Sequence, residues 1–269
     1  MKKKTKNKYL IISILVLLLT ACGVNVNISK PTVELNVGNV SVSANFPAIN
    51  QTIYQQSFPS EVLKVYFINV SQGDSELIIF PDNKTMLIDV GKEKYGHVVL
   101  ELLNKLNITK LDYCLETHHH EDHYGGFKIV GFMCEINQTY TGIYGFNIYP
   151  VKNYTNENDN SIITKISYKN VSFLFTGDCA SECEEYLVNN INVSVNILKV
   201  AHHGSKTSTN TDFLSKVNPE IAVISYGKNT YGHPNNETIK RLINQKVFTT
   251  NDNGTILIET DGNKINIGK

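Results

Sequence analysis

The chain has 269 residues, of which 41% are hydrophobic and 19% charged, with 25 basic and 25 acidic side chains. This apolar content excludes a disordered or collagen-like chain, and the length favours one main domain. Five lysines and no acidic residue precede residue 22, so the remainder has 20 basic and 25 acidic side chains, a net charge of −5. That balance lacks the global positive field typical of a dedicated nucleic-acid-binding protein, although a local basic patch is compatible with it.

Residues 1–21 are predicted to be a lipoprotein signal peptide. Five lysines in the first eight residues precede an apolar run from Tyr9 to Leu19, about half the roughly 20 residues that span a bilayer. The following Thr20-Ala21-Cys22 completes a resemblance to the bacterial lipobox, which implies cleavage before Cys22 and lipidation of its thiol. The alternative is an ordinary signal peptide with an incidental cysteine. Both interpretations predict an exported, extracytoplasmic protein, and the first anchors it to the bacterial membrane by lipid.

The lipidated cysteine is expected to open a polar tether over residues 22–61. This segment is rich in Asn, Ser, Thr, Val and Gln and has no sustained helical period. It is predicted to hold a strand or two, at 33–37 and 40–44. The folded domain is predicted to cover residues 62–269.

Short β-rich runs and helical apolar spacings alternate through this domain. Its first half is predicted to contain strands at 65–70, 76–80, 85–90 and 111–116 and a helix over 95–107. Its second half is predicted to contain strands at 162–168, 171–175, 196–200, 220–225, 256–259 and 264–267, with helices near 181–189, 211–217 and 237–245. Two sheets sandwiched between helices accommodate this order of elements.

Four cysteines follow Cys22, namely Cys114, Cys134, Cys179 and Cys183. An exported setting permits disulfides, but the spacing does not resemble a dense disulfide framework. The last two are predicted to share a helical face. Free buried thiols are expected for all four.

Candidate metal ligands are concentrated in the segment THHHEDHYGG at 117–126, directly after an apolar strand. If the strand continues through His120, then His118 and His120 point to the same side and share one metal. Asp122 and His123, beyond the turn, then face a second ion, about 3.5–4 Å away as in other two-metal sites. The alternative is a solvated loop that binds metal adventitiously, which the strand, ligand and turn pattern disfavours.

Six short motifs occur in order along residues 64–260. They are NVSQGDS at 69–75, LIDVG at 87–91, the histidine motif, FTGD at 175–178, AHHGS at 201–205 and YGHP at 231–234. Together they resemble the metallo-β-lactamase fold superfamily, and more narrowly the hydrolase domain of ComEC/Rec2-type competence proteins. The resemblance implies an α/β fold, an αββα sandwich of two mixed sheets flanked by helices, with a dinuclear site where the loops of the sheets meet. The sequence shows no counterpart of the membrane channel of those proteins, and this departure puts a role in DNA import in doubt.

This resemblance assigns the metal ligands. They are His118, His120, Asp122, His123, Asp178 and His202. Asp178 is expected to bridge the two ions, with a helix N-cap as its alternative role. His202 is expected to complete the second site, and His203 is its competitor.

Other residues are predicted to support the site. Asp89 ends a buried strand. It is predicted either to orient a ligand histidine, as a carboxylate outside the metal ligands, or to be a structural turn residue. Asp74 is predicted to orient a ligand histidine in the same way. Asp122 and His233 are the predicted catalytic residues. His233 either contacts a phosphoryl oxygen or protonates the leaving group, unless it is a loop histidine without a role. Many superfamily members have a further histidine before the bridging aspartate, and this chain does not, so Asp159 or water is expected to complete the first metal.

Two divalent ions, Zn or alternatively Mn, make hydroxide available near neutral pH and neutralise charge on a phosphoryl oxygen. The resemblance therefore implies a phosphodiesterase that acts on extracellular DNA or on a cell-envelope phosphodiester such as teichoic-acid phosphocholine. The alternatives are a β-lactam or other ester or amide hydrolase, and a catalytically silent metal-binding lipoprotein. A DNA substrate requires a local basic surface, for which Lys206, Lys228, Lys240 and Arg241 are the nearest candidates in sequence, although each alone is more often ordinary surface.

Overall fold

A computed structural model describes residues 26–29, 32–37, 40–45, 61–133, 135, 140–150 and 152–268. The chain divides into two compact units, residues 1–56 and 57–269. The predicted signal peptide and Cys22 lie outside the described residues. Within the described part of the chain, no helix has the length and apolar character that a membrane span requires.

Three strands of the first unit form an antiparallel sheet in the order β1-β2-β3. They are β1 (Val26–Ser29), β2 (Thr32–Val37) and β3 (Val40–Asn45). The sequence predicts one or two strands here, and the structure has three. The segment expected to be a tether therefore contains more regular structure than its polar composition indicates. Its role as a tether stays a prediction.

Six strands of the second unit form the first of its two sheets. They are β4 (Leu63–Phe67), β5 (Glu76–Ile79), β6 (Thr85–Ile88), β7 (Tyr113–Leu115), β15 (Ile256–Thr260) and β16 (Ile265–Gly268). Their order is β16-β15-β4-β5-β6-β7. All neighbours are antiparallel except β6 and β7, so the sheet is mixed.

Seven strands form the second sheet, in the order β14-β13-β12-β11-β10-β9-β8. They are β8 (Thr141–Gly142), β9 (Gly145–Ile148), β10 (Ile163–Tyr168), β11 (Val171–Phe175), β12 (Ile197–Lys199), β13 (Ile221–Ile224) and β14 (Lys246–Thr249). Strands β11 to β14 are parallel and the others antiparallel. The sequence missed β8, β9 and β14, which lie at the two ends of the sheet. β14 is half-buried to exposed and so lacks the apolar signal of a buried strand.

Helices cover the outer faces of the two sheets. They are α1 (Gly96–Lys105), α2 (Glu121–Tyr124), α3 (Phe127–Val130), α4 (Ser181–Asn190), α5 (Thr211–Val217), α6 (Asn236–Arg241) and α7 (Thr250–Asn253). Side chains of both sheets share one core cluster, in which the rings of Phe67 and Phe175 are 6.0 Å apart. A second cluster lies beneath α4 and α5, and a third beneath α1 and α3. The predicted αββα sandwich of two mixed sheets is confirmed.

The parallel strands bring the sequence motifs to one edge of this sandwich. Asp89 follows β6, the histidine motif follows β7, Asp178 follows β11, and residues 202–203 follow β12. The carboxyl ends of parallel neighbours point the same way, so the loops after them meet. This topology assembles a site from residues separated by more than 100 positions.

The expectation of free thiols is wrong for the cysteines that the structure describes. Cys179 and Cys183 form a disulfide, with Cα atoms 5.5 Å apart, and Cys114 is also disulfide-bonded. Cys179 lies just before α4 and Cys183 in its first turn, so one helical turn brings their Cα atoms within disulfide range. Cys134 lies outside the described residues.

Candidate metal centre

The first donor group combines the histidine motif with the loop after β11. The Nε2 atom of His118 lies 2.9 Å from Nδ1 of His120 and 3.9 Å from Oδ2 of Asp178. The condition that the strand continues through His120 is not met, because β7 ends at Leu115. A bent loop brings the two imidazoles together instead. These three side chains offer donor atoms within 4.8 Å of one another.

The second donor group consists of Asp122, His123 and His203, whose donor atoms also lie within 4.8 Å of one another. The short helix α2 places Asp122 and His123 on one turn. The Nε2 atom of His203 lies 3.7 Å from Oδ2 of Asp122. Oδ1 of Asp178 is 3.2 Å from Nε2 of His123 and 3.6 Å from Nε2 of His203. Asp178 therefore lies between the two groups.

Asp178 has the position expected of a bridging carboxylate and does not cap α4. The N-cap of α4 is Ala180, with no side-chain cap from that residue. The backbone N–H of Asp178 donates to Oγ of Ser161 at 3.1 Å, and the side chain is buried. Its Oδ1 has no hydrogen-bond partner, which leaves it free to hold a cation.

Asp159, expected as an oxygen ligand of the first metal, has another role. Its Oδ1 accepts hydrogen bonds from the backbone N–H groups of Ala180 and Cys183, at 3.1 and 2.9 Å. Its Oδ2 accepts from the side chain of Asn156 at 2.9 Å. Of the two expected ligands, Asp159 or water, the geometry therefore disfavours Asp159, which stabilises the start of α4, where orphan N–H groups and the helix dipole favour a carboxylate.

His202 and His203 lie on a turn whose backbone is left-handed at both residues, with φ angles of +50° and +53°. Non-glycine residues adopt this region rarely, and such residues cluster at functional sites. The turn buries His203, whose Nδ1 donates to the Ser225 carbonyl at 3.0 Å and whose Nε2 has no partner. His202 stays partly exposed, and its Nε2 lies 3.7 Å from Asp178. The sequence favours His202 as the ligand. The geometry favours His203, because the left-handed turn breaks the strand alternation after β12.

Asp89 contacts a candidate ligand directly. Its Oδ2 lies 2.7 Å from Nδ1 of His123, which leaves Nε2 of that ring facing Asp178. It also accepts hydrogen bonds from the backbone N–H and hydroxyl of Thr117, at 2.8 and 2.7 Å. The geometry therefore supports the predicted outer-carboxylate role, and the left-handed φ of +51° directly after β6 shows that Asp89 is a turn residue as well.

Asp74 also lies behind the second donor group. Its Oδ1 is 3.2 Å from Nδ1 of His203, and its Oδ2 contacts the buried ammonium of Lys199. Burial alone raises the pKa of Asp74, but the positive charges of Lys199 and His203 outweigh it and bring the pKa to about 2. Asp74 is therefore a buried, ionised carboxylate.

Two polar residues near the site were not predicted from the sequence. Lys199 is buried behind Asp74, and Glu157 accepts from Nε2 of His120 at 2.8 Å. Lys199 ends a strand and Glu157 belongs to a polar loop, so neither carries a local pattern. The Ser161 hydroxyl also lies near the site, 3.4 Å from Nδ1 of His118.

A pocket of about 340 Å³ opens over both donor groups. It is lined by Gln72, Lys92, His120, Glu121, Asp122, Asn158, Asp178, His202, His203, Tyr231 and His233. His233 is fixed by Asn229, which accepts from its backbone N–H at 3.1 Å and donates to its carbonyl at 2.8 Å. The predicted catalytic histidine therefore faces the same pocket as the donor groups.

Charge and burial set the protonation of these histidines. Burial, aided by the neighbouring charge of His123, lowers the pKa of His118 to about 2. Burial also opposes protonation of His123, but Asp178 and Asp89 outweigh it and hold the pKa of His123 well above its usual value. Burial and the charges of His202 and His203 lower the pKa of His233 to about 4, so this ring is neutral at neutral pH.

The donor set fits divalent metal ions. Three buried atoms without hydrogen-bond partners face one another, namely Nε2 of His123, Nε2 of His203 and Oδ1 of Asp178. Buried polar atoms normally have partners, so such a cluster calls for a cation between them. Imidazole and carboxylate ligands suit zinc, manganese or iron.

The expected basic surface is only partly available. Arg241 donates from its guanidinium to the carbonyls of Lys206, Ser208 and Thr209. It therefore stabilises the loop before α5 and is not free to bind a phosphate backbone. Lys92 lines the pocket itself and was not among the predicted basic residues.

No protein-family model matches the chain. It is 27% identical over 255 residues to ComE operon protein 3 of Bacillus subtilis (strain 168), covering 72% of this chain and 32% of that protein. It is 27% identical over 211 residues to Competence protein ComA of Neisseria gonorrhoeae (70% and 30%). It is also 27% identical over 259 residues to Recombination protein 2 of Haemophilus influenzae (84% and 32%). The chain thus spans about a third of the length of these curated relatives.

Two solved structures show a weaker likeness. A diphosphatase from the PhnP family matches with a TM-score of 0.45 and 14% identity, over 74% of this chain and 98% of that one. A putative zinc-dependent hydrolase of the metallo-β-lactamase superfamily from Thermotoga maritima matches with a TM-score of 0.42 and 14% identity, over 70% and 97%. The sequence matches confirm the resemblance to ComEC/Rec2-type competence proteins. The αββα sandwich with the histidine motif at its edge is the architecture that this resemblance implies.

Proposed function

We propose that this chain is a metal-dependent phosphodiesterase that holds two divalent ions. The observation that carries the proposal is the position of Asp178 between two donor groups. His118 and His120 would hold one ion, and Asp122, His123 and His203 the other, with Asp178 serving both. Zinc and manganese are the proposed ions.

Two such ions supply a hydrolytic nucleophile near neutral pH and offset charge on a phosphoryl oxygen. The chain's own residues then bind and orient the substrate. The Lys92 ammonium attracts the phosphodiester, and His233, held in place by Asn229, hydrogen-bonds a phosphoryl oxygen. His202 and Asn158 line the same pocket and complete its polar wall. Hydrogen bonds from these side chains to the phosphoryl oxygens would strengthen as negative charge develops there in the transition state, which lowers the activation free energy of hydrolysis.

The proposed substrate is extracellular DNA or a cell-envelope phosphodiester such as a teichoic-acid-type polymer. Relatives named for competence and for recombination support DNA. The net charge of −5 without the first 21 residues supports the cell-envelope phosphodiester, because a small phosphodiester needs no extended basic surface on the protein. Turnover of single-stranded DNA, double-stranded DNA and a phosphocholine ester over a salt series separates the two, because DNA binding weakens steeply with salt.

Hydrolysis of bis-p-nitrophenyl phosphate, with nitrocefin in parallel, tests the reaction class. The protein is expected to hydrolyse the phosphodiester, to lose activity with a chelator, and to regain it when zinc or manganese is returned. Efficient nitrocefin hydrolysis without any phosphodiester hydrolysis would overturn the proposal.

We also propose that the protein is exported and anchored by a lipid on Cys22. The lysine-rich start, the apolar run and the lipobox-like residues support this. A Cys22→Ser variant should leave the membrane fraction or stay unprocessed, as seen by cell fractionation and lipid labelling. Unchanged labelling of that variant would refute the assignment.

A further inference from the structure

Lys199 is a buried lysine at the end of β12, between the two sheets. It is 1% exposed. Its ammonium contacts Oδ2 of Asp74 and lies 3.4 Å from the carbonyl oxygen of Gly177. Lysine is almost never fully buried unless it is paired. Replacing a buried ion pair by hydrophobic residues of similar volume often leaves the folding free energy unchanged or improves it. The presence of this buried charge therefore requires an explanation.

The two contacts of Lys199 lead to the metal centre from two directions. Oδ1 of Asp74 lies 3.2 Å from Nδ1 of His203, the proposed ligand of the second ion, whose Nδ1–H is directed at the Ser225 carbonyl. Gly177 immediately precedes Asp178, the carboxylate between the two donor groups. One ammonium therefore contacts residues that lie next to two of the candidate ligands.

Charge balance explains why a cation is needed there. Asp74, Asp89 and Asp178 are all buried, and Glu76 is buried close to Lys199 and Asp74. Without an internal cation, Asp74 would be a buried carboxylate facing other carboxylates, which is costly. The contact between Lys199 and Asp74 therefore pairs two buried opposite charges behind the second donor group.

We infer that Lys199 is a positioning residue for the second ion: it holds Asp74 behind His203 and the Gly177 carbonyl behind Asp178. This inference rests on the proposed two-ion site. It assigns Lys199 no contact with substrate. Outer residues that orient metal ligands typically contribute about 10- to 100-fold to metal affinity, and the same range is expected here.

The test measures metal binding rather than turnover. Lys199→Met alone leaves Asp74 buried without its cation and is expected to be destabilised. The double variant Lys199→Met/Asp74→Asn removes both charges together and so preserves the charge balance. Zinc stoichiometry and affinity, by elemental analysis and competition with a chromophoric chelator, are compared with the wild type. Thermal melts of the metal-free proteins report folding.

Lys165→Met is the matched control. Lys165 is a half-buried lysine on β10 that donates to the carbonyls of Asn192 and Ser194, away from the centre. The control should bind two zinc ions with wild-type affinity. The double variant should fold, keep one ion, and bind the second about 10- to 100-fold more weakly.

Two results would contradict the inference about Lys199, and a third would contradict only the proposed function. If the folded double variant binds both ions as tightly as the wild type, the pair is only structural and the inference is wrong. If the double variant does not fold while the control does, the pair serves folding rather than the site, and the inference is again overturned. If the wild type binds two ions but hydrolyses no phosphodiester, the proposed function fails while the positioning role stands.

Discussion

Asp89→Ala removes a carboxylate that receives three hydrogen bonds in the core of the site. The donors are the backbone N–H and hydroxyl of Thr117 and the Nδ1–H of His123, at 2.7–2.8 Å. The hydroxyl has a second partner within reach, Nδ1 of His118 at 3.1 Å, and Nδ1 of His123 lies 3.5 Å from that same hydroxyl, so only the Thr117 backbone N–H loses its sole acceptor. At about 1–3 kcal/mol for one unpaired buried donor, the expected loss in the free energy of unfolding is about 1–3 kcal/mol.

Asp89→Asn separates this stability effect from metal binding. The side-chain oxygen of Asn can still accept from the Thr117 backbone, but its amide would face the Nδ1–H of His123, donor against donor. His123 would then move its proton to Nε2, the nitrogen 3.2 Å from Asp178, which removes a metal ligand atom. Zinc affinity is expected to fall about 10- to 100-fold, with a smaller loss of stability than in Asp89→Ala.

Zinc affinity is measured by chelator competition and stability by urea unfolding of the metal-free protein. The matched control is Asp112→Asn, because Asp112 likewise accepts from the backbone N–H and hydroxyl of a threonine, Thr85, at 2.9 and 3.2 Å. Asp112 is not in any donor group, so its variant should bind zinc normally. Wild-type zinc affinity in Asp89→Asn would refute the role of Asp89.

Three further predictions concern the remaining residues. His203→Ala should reduce bound zinc from two ions to one, whereas His202→Ala should keep both; elemental analysis giving the reverse pattern would restore His202 as the ligand. Asp159→Ala should lower the free energy of unfolding by about 1–2 kcal/mol through loss of two backbone hydrogen bonds at α4, and a direct loss of one ion would instead show that Asp159 is a ligand. Burial raises the pKa of Glu184 to about 7, so the folded state binds a proton more tightly than the unfolded state. Stability should therefore fall by about 3 kcal/mol between about pH 4.5 and pH 7. Glu184→Gln should flatten this slope in urea unfolding, and an unchanged slope would refute the assignment.

Strands with strong apolar patterns were predictable from the sequence, because burial on the core repeats along them. β11 and α5 begin and end at the predicted residues. The edge strands β8 and β14 were not predicted, since edge positions are exposed and carry a weaker pattern; β9, the short strand beside β8, was also not predicted. The shared face of His118 and His120 was predicted on the condition that the strand continues through His120, whereas β7 ends at Leu115.

Site residues that belong to a short sequence motif were predictable. Site residues whose position depends on packing between distant parts of the chain were not. The clustered histidines and the aspartate at 178 stand out in the sequence. The choice between His202 and His203 depends on two left-handed residues, which no periodicity encodes. Lys199 pairs with a residue 125 positions away, and the capping role of Asp159 depends on the position of α4. These features follow from tertiary structure rather than from local sequence.

The central claim is that two divalent ions, held around Asp178, make this chain a phosphodiesterase. The most direct test titrates metal-free protein with zinc and follows ion stoichiometry and bis-p-nitrophenyl phosphate hydrolysis in the same samples, with Asp178→Asn in parallel. The account predicts two bound ions per chain, activity that rises with metal loading, and loss of both in Asp178→Asn. Chelator-insensitive hydrolysis, or two tightly bound ions in Asp178→Asn with undiminished activity, would contradict it.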